Sequence, residues 1–304
     1  MDMVRVVAPV FSLVLLGFVL RRLRLPGDEF WPYCERLVYF LLFPALLVTR
    51  LSVVPLTGEL IAALALALVI PTLVVSAGLL LLLPLSDFPG HTFSSVFQGA
   101  IRFNTYVALA VGAALEPQRG LELTAIAAAF MIPLVNLLCV SVLVLLGERR
   151  RPDWWLQLAR GLSTNPLILA CLAGLALNAS GWQLPGFLAD TAQLLGQTAL
   201  PLGLLAVGAG LVLRLSYGQL GAIALSSAAK LVVLPLLAWL VCRWLETPPG
   251  PARIAVMFAA LPTASSAYIL ARQMGGDHQT MAAIITVQTL VAMLTLPWLL
   301  GLAG

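Results

Sequence analysis

Gly147-Glu148-Arg149-Arg150-Arg151-Pro152-Asp153 is the most densely charged stretch of this chain, and long apolar runs flank it on both sides. Working outward, apolar runs precede it at roughly 6–23, 31–50, 60–83, 93–115 and 121–146. Others follow at 162–178, 188–212, 217–243, 252–272 and 278–302. Each is near the ~20 residues that a helix needs to cross a bilayer. Turn and charge signals separate them, among them Pro26-Gly27-Asp28, Asp87-Phe88-Pro89-Gly90, Gly181 to Gly186 and Thr247-Pro248-Pro249-Gly250-Pro251. The runs lack period-two alternation, which excludes barrel strands. Helices remain, because in lipid every backbone polar group must be satisfied internally. The expected fold class is all-α: a polytopic membrane protein with ten transmembrane helices.

Composition agrees. Of 304 residues, 61% are hydrophobic and 10% are Asp, Glu, Lys or Arg, where a soluble domain carries about a quarter charged. With a mean hydropathy of +1.02, a soluble enzyme, a nucleic-acid binder and a disordered scaffold are excluded. The net charge of +4 marks cytoplasmic loops instead. Loops after odd-numbered runs hold Arg21, Arg22, Arg24, Arg149, Arg150, Arg151, Arg160, Arg214 and Arg272, whereas the other side holds Arg5, Arg50, Arg119, Arg243 and Arg253. That asymmetry places both termini outside and the 147–160 loop in the cytoplasm. Arg21, Arg22 and Arg24 follow the first run instead of preceding it, so the segment is not read as a secretory signal. Cys34, Cys139, Cys171 and Cys242 are scattered through apolar runs, indicating neither a disulfide framework nor a zinc site.

The charged loop divides the chain into a first half (1–146), a short linker (147–160) and a second half (161–304). Five helices per half place the halves in opposite orientations, as in inverted-repeat transporters. Proline spacing supports the pairing: Pro44 matches Pro201, Pro71 matches Pro235 and Pro133 matches Pro297.

Runs four and nine then correspond. One reads Gln98-Gly99-Ala100-Ile101-Arg102-Phe103-Asn104-Thr105-Tyr106, and the other Ala260-Leu261-Pro262-Thr263-Ala264-Ser265-Ser266-Ala267-Tyr268. Proline removes a helical donor, and small polar residues can bond the freed backbone. Helices broken at mid-membrane mark a transport site, since half-helix N-termini attract anions. The candidate substrate residues are therefore Arg102, Asn104, Thr105, Pro262, Thr263, Ser265 and Ser266. Arg102 is either a guanidinium for a carboxylate-bearing substrate or a structural tie; a charge at that depth costs about 3 kcal/mol on insertion scales. Asn104 offers two donors and an acceptor without charge, for a substrate anion or for a neighbouring helix. Lys230, in run eight, couples protons if desolvation makes it titrate, or snorkels or pairs with a carbonyl. Gln98, Gln197, Gln273, Gln288, Asn136 and Asn165 read as interhelical hydrogen bonds. Protease, hydrolase and Walker-type motifs are absent, so neither an enzyme, a metal, a cofactor nor ATP hydrolysis is indicated.

The chain resembles the auxin efflux carrier family, in particular its short bacterial members, essentially end to end. The likeness rests on Pro9-Val10-Phe11 to Gly17 with Arg21-Arg22-Leu23, Leu41-Leu42-Phe43-Pro44-Ala45-Leu46 and Arg102-Phe103-Asn104-Thr105-Tyr106. It continues through Asn165-Pro166-Leu167, Lys230 to Pro235, Leu261-Pro262-Thr263-Ala264, Gly275-Gly276-Asp277 and Thr286 to Thr289. The resemblance implies two inverted five-helix repeats with broken, crossing helices four and nine. It also implies export or exchange of a small organic anion by an elevator-type motion, in a homodimer of the inner membrane. Plant relatives move indole-3-acetate, and bacterial relatives are associated with malate or malonate. By motif, Asn104 would be the substrate amide and Pro262 the crossing proline. Where many relatives have a proline beyond the Asn, this chain has Ala108-Leu109-Ala110, which leaves the position of the break open. Related bile-acid symporters bind sodium; Thr263, Ser265 and Ser266 could supply oxygens, but no carboxylate accompanies them. A sodium-coupled symporter and a membrane-embedded sensor that binds such acids without moving them are the rival readings.

Overall fold

The computed structural model describes residues 3–53, 58–148, 153–182, 184–213 and 216–303, and among these all regular structure is helical. The first half comprises α1 (Met3–Arg22), α2 (Phe30–Leu37), α3 (Phe43–Leu51), α4 (Gly58–Leu82), α5 (Gly90–Ile101), α6 (Thr105–Leu115) and α7 (Gly120–Leu146). Then come α8 (Trp154–Ser163), α9 (Pro166–Ser180), α10 (Gly186–Ala209), α11 (Leu220–Ala228) and α12 (Leu234–Trp244). The chain closes with α13 (Pro249–Ala259), α14 (Ser266–Met274) and α15 (His278–Ala303). Among the described residues, six stretches are long and apolar enough to cross a membrane: Met3–Arg22, Ile61–Leu85, Gly120–Leu146, Gly186–Ala209, Tyr217–Trp244 and His278–Gly301. The pair α8 and α9 could form one more span, bent by 45°. The other three apolar runs are helical too, but two are interrupted and the third carries Glu35, Arg36 and Arg50.

Two helices carry a π turn, and each turn directly precedes a proline. Val38–Leu42 joins α2 to α3 ahead of Pro44, and Ala229–Val233 joins α11 to α12 ahead of Pro235. A proline ring clashes with the carbonyl one turn back and offers no N–H; widening that turn relieves both. Lys230 falls in the second π turn and is buried, 1% exposed.

α8 begins within the 147–160 linker. Arg149, Arg150, Arg151 and Arg214 lie outside the described residues. The sixth run starts its helix at Pro166 instead of 162. Proline pushes the residue before it out of the helical region, and Asn165 accordingly takes φ −70°, ψ 113°. Its side chain then caps α9 by accepting the N–H groups of Leu167 and Ile168.

Glycines allow a close approach of α1 and α10. A Cβ on Gly208 would lie 1.8 Å from the Val14 carbonyl oxygen, and one on Gly17 2.0 Å from that of Leu205. Small residues let α1 and α10 pack backbone to backbone. Phe43, Phe93, Phe97 and Phe258 fill the interior and are fully buried. α5 lies against α7, α11 and α15, so its break is held deep inside the helical packing.

Candidate functional site

The fourth and ninth apolar runs are interrupted, at Arg102–Asn104 between α5 and α6 and at 260–265 between α13 and α14. They run antiparallel, α5 beside α14 and α6 beside α13. At one end Arg253 of α13 forms an ion pair with Glu116, just past α6. At the other, the Thr92 hydroxyl donates to the Asp277 carboxylate (3.1 Å), the Asp277 N–H donates to the His91 carbonyl (3.1 Å), and the Ser95 hydroxyl donates to the Asp277 carbonyl (2.9 Å). Burial pushes the Asp277 carboxyl up, but hydrogen bonds from the Thr280 hydroxyl and N–H and from Thr92, with His91 nearby, hold it below its ordinary value.

The breaks meet in the middle. The Asn104 N–H donates to the Pro262 carbonyl across 2.8 Å. The Asn104 side chain caps α6: Oδ1 accepts from the N–H of Tyr106 (3.0 Å) and Val107 (3.2 Å). That cap makes a proline unnecessary at Ala108-Leu109-Ala110, which lie inside α6. It also occupies the amide oxygen, so what Asn104 retains for a ligand is its two Nδ2 donors. Phe103 anchors the break by packing on Phe258 of α13, with ring centroids 4.3 Å apart. Tyr106 stacks on Phe43 at 4.6 Å.

A chamber of about 410 Å³ lies against this crossing, bounded by Arg102, Asn104, Thr105, Ser265 and Ser266. A second cavity of about 350 Å³ shares Arg102, Thr105 and Ser266 with it and extends to Trp154 and Leu158 of α8. A vestibule of about 750 Å³ shares Ser265 with the chamber and extends to Ser216, Gln219 and His278. The chamber falls within the size range of small-molecule sites.

Five of the seven predicted substrate residues thus come together on one wall. Pro262 and Thr263 stand behind it. Thr263 is fully buried; its hydroxyl donates to the Gly99 carbonyl (2.8 Å) or to Gln288 Oε1 (2.7 Å), and its N–H donates to Gln288 Oε1 (3.1 Å). Gln288 Nε2 completes the stitch to the Gly99 carbonyl at 2.9 Å. Lys230 lines none of the three cavities. Asn136 and Gln273, read from sequence as interhelical bonds, line the chamber instead, as do Glu35 and Tyr39. An acidic side chain within the second apolar run was the available signal for Glu35.

The electrostatics favour a negative ligand. Arg102 brings a full positive charge to the wall, and its Nη1 is buried without a hydrogen-bond partner. Thr105 and Ser266 open α6 and α14 there, and Asn165 and Leu167 at the start of α9 line the second cavity. Each helix N-terminus carries roughly half a positive charge. Among the described residues, no three His, Cys, Asp or Glu side chains gather as metal ligands.

A family model described as membrane transport protein matches residues 142–300. A protein of Rhizobium meliloti (strain 1021) named "Putative malonate transporter" is 26% identical over 321 residues, which cover 97% of this chain and 94% of that protein.

Proposed function

Because this chain belongs to the membrane transport protein family, the auxin efflux carrier-like transporters, we propose that it is a secondary carrier of small organic anions. The observation that carries the reading is Arg102: a guanidinium with an unpartnered buried nitrogen, on a chamber wall where α6 and α14 both begin. A carboxylate there gains charge-assisted hydrogen bonds from Arg102 and from the Asn104 amide. A charged side chain at membrane depth faces a cavity or a partner, and Arg102 faces the chamber. The name of the Rhizobium relative makes malonate the first acid to test.

The architecture we infer is ten helices in two inverted repeats. Support comes from the contact between Gly99 and Thr263, whose separation is 164 positions. The same step relates Pro71 to Pro235 and Pro133 to Pro297. A hydrogen bond between positions related by the repeat is what a two-fold axis through the crossing produces. In this reading the two broken helices move together as the transport part against the other helices, in an elevator-type alternation. The α8 segment, the 210–219 segment and the start of α15 all follow odd-numbered runs, so the cavities face the cytoplasmic, Arg-rich side. The carrier resides in the inner membrane with both termini outside, as a homodimer.

Purified protein in liposomes is expected to give malonate flux, measured as radiolabel uptake or as currents on a solid support, and Asn104→Ala is expected to lower it about tenfold. Binding of malonate with no flux in either direction would refute transport, and equal flux in wild type and Asn104→Ala would refute the site.

A further inference from the structure

The chamber and the vestibule meet at Glu35, Ser265 and Ile269, which line both. Among the described residues lining any of the three cavities, Glu35 is the sole Asp or Glu. It is half-buried and forms no ion pair among the described residues. It sits on α2 one helical turn before Tyr39, and Tyr39 shares the chamber and the second cavity with Arg102. A carboxylate standing on the wall of a chamber built for carboxylates is a conflict. Ionised, it repels the substrate through a low-dielectric space; protonated, it does not.

The geometry points to Glu35 as the proton-coupling group of the carrier, binding one proton together with each substrate anion. The inference rests on the transport reading above. The other titratable or charged groups facing these cavities are Arg36 on the same helix, Tyr39, Arg102 at the break, Tyr106 of α6, Tyr268 of α14 and His278 of α15. α10, which also packs on α2, contributes Val207 to the chamber wall. Of these groups, Arg102 belongs to the substrate and the arginines do not titrate in the working range. A phenol in water is a far weaker acid than a carboxyl. His278 also lines the vestibule, its ring edge-on to Tyr268 at 5.7 Å. Because Glu35 borders the vestibule as well as the chamber, protons can reach its carboxylate from the vestibule side. Protonation of Glu35 and binding of the anion then favour one another by linkage. Where protons are scarce, Glu35 ionises and helps to expel the anion.

The test uses full-length protein in liposomes, with radiolabelled malonate as the probe and each protein compared with itself across pH, above the acid's own pKa values. Wild type is expected to accumulate malonate down an inward proton gradient, with uptake changing by up to about tenfold per pH unit, the slope of one coupled proton. Glu35→Gln is expected to keep measurable malonate exchange while losing both gradient-driven accumulation and pH dependence. Glu35→Asp is expected to keep both, with a displaced pH profile, and covers the case in which the glutamine variant is inactive. PH dependence that persists in Glu35→Gln overturns the proposal, as does inactivity of both variants. A wild type that exchanges malonate without any response to a proton gradient overturns it too, leaving the transport reading intact. A wild type that neither exchanges nor accumulates malonate refutes both.

Discussion

The two helix breaks begin from similar material, an apolar run with a few small polar residues, and are finished in opposite ways. The 102–104 break is closed by its own residues: Asn104 caps α6, Phe103 packs on Phe258, and Arg102 is left facing the chamber. The 260–265 break is closed from outside. Gln288 of α15 and the Gly99 carbonyl hold Thr263, while Ser265, at the N-cap of α14, makes no capping bond. One break therefore exposes a charge, and the other buries its hydroxyl in a hydrogen-bonded stitch. Polar residues in a membrane helix do not announce a ligand by type alone; what distinguishes them is whether the fold already satisfies them.

Substitutions at the two breaks should separate accordingly. The largest effect is expected from Arg102→Ala, which removes the positive side chain at the first break. A lost hydrogen bond to a charged group is worth about 1.5–3 kcal/mol, or roughly 10–100-fold in malonate affinity by titration calorimetry. Unchanged affinity would move the anion site elsewhere. Next comes Asn104→Asp, which keeps the cap oxygen but replaces the amide donors with a negative charge. Thermal stability should hold while affinity falls about tenfold or more; a fall in stability with affinity kept would reassign Asn104 to a cap alone.

Thr263→Val tests the other side of the comparison. It deletes one buried hydroxyl from the stitch, at about 1 kcal/mol, and should lower the melting temperature by roughly 2–4 °C. Affinity should be unchanged, and a selective loss of affinity would bring Thr263 back to the substrate. The smallest effect concerns the tie at the ends of the broken helices. Asp277 has its folded pKa depressed, so its contribution is complete above the unfolded value near pH 3.9 and disappears as pH falls through the lower folded value. Asp277→Asn should therefore melt slightly below wild type at neutral pH, and the gap should narrow as the pH falls below the unfolded value. A gap that widens on acidification would contradict the depressed value.

How far the chain could be read without its fold differs along its length. The six unbroken spans were legible because a bilayer demands long apolar runs, and α4, α7 and α15 fall within a few residues of their expected limits. A break near Arg102 and Asn104 was legible because a polar cluster inside an apolar run is expensive in lipid. The start of α9 was misplaced because Asn165-Pro166, a local turn, overrides the hydrophobic pattern around it. Asn136 was placed on a helix correctly and Gln273 fell one residue beyond the ninth run, and both line a cavity in the fold.

Sequence by itself determined that this protein is helical, embedded in lipid and interrupted at two polar places, since hydrophobicity, backbone satisfaction and proline chemistry are properties of short segments. Only tertiary structure decided which polar groups remain unsatisfied. Thr263 and Ser265 are two residues apart, yet Gln288 and Gly99 bury one while the chamber takes the other. Glu35, more than sixty residues from Arg102 in the chain, shares a cavity with it. Such juxtapositions depend on how helices distant in sequence pack together, and a segment read alone carries no record of its neighbours.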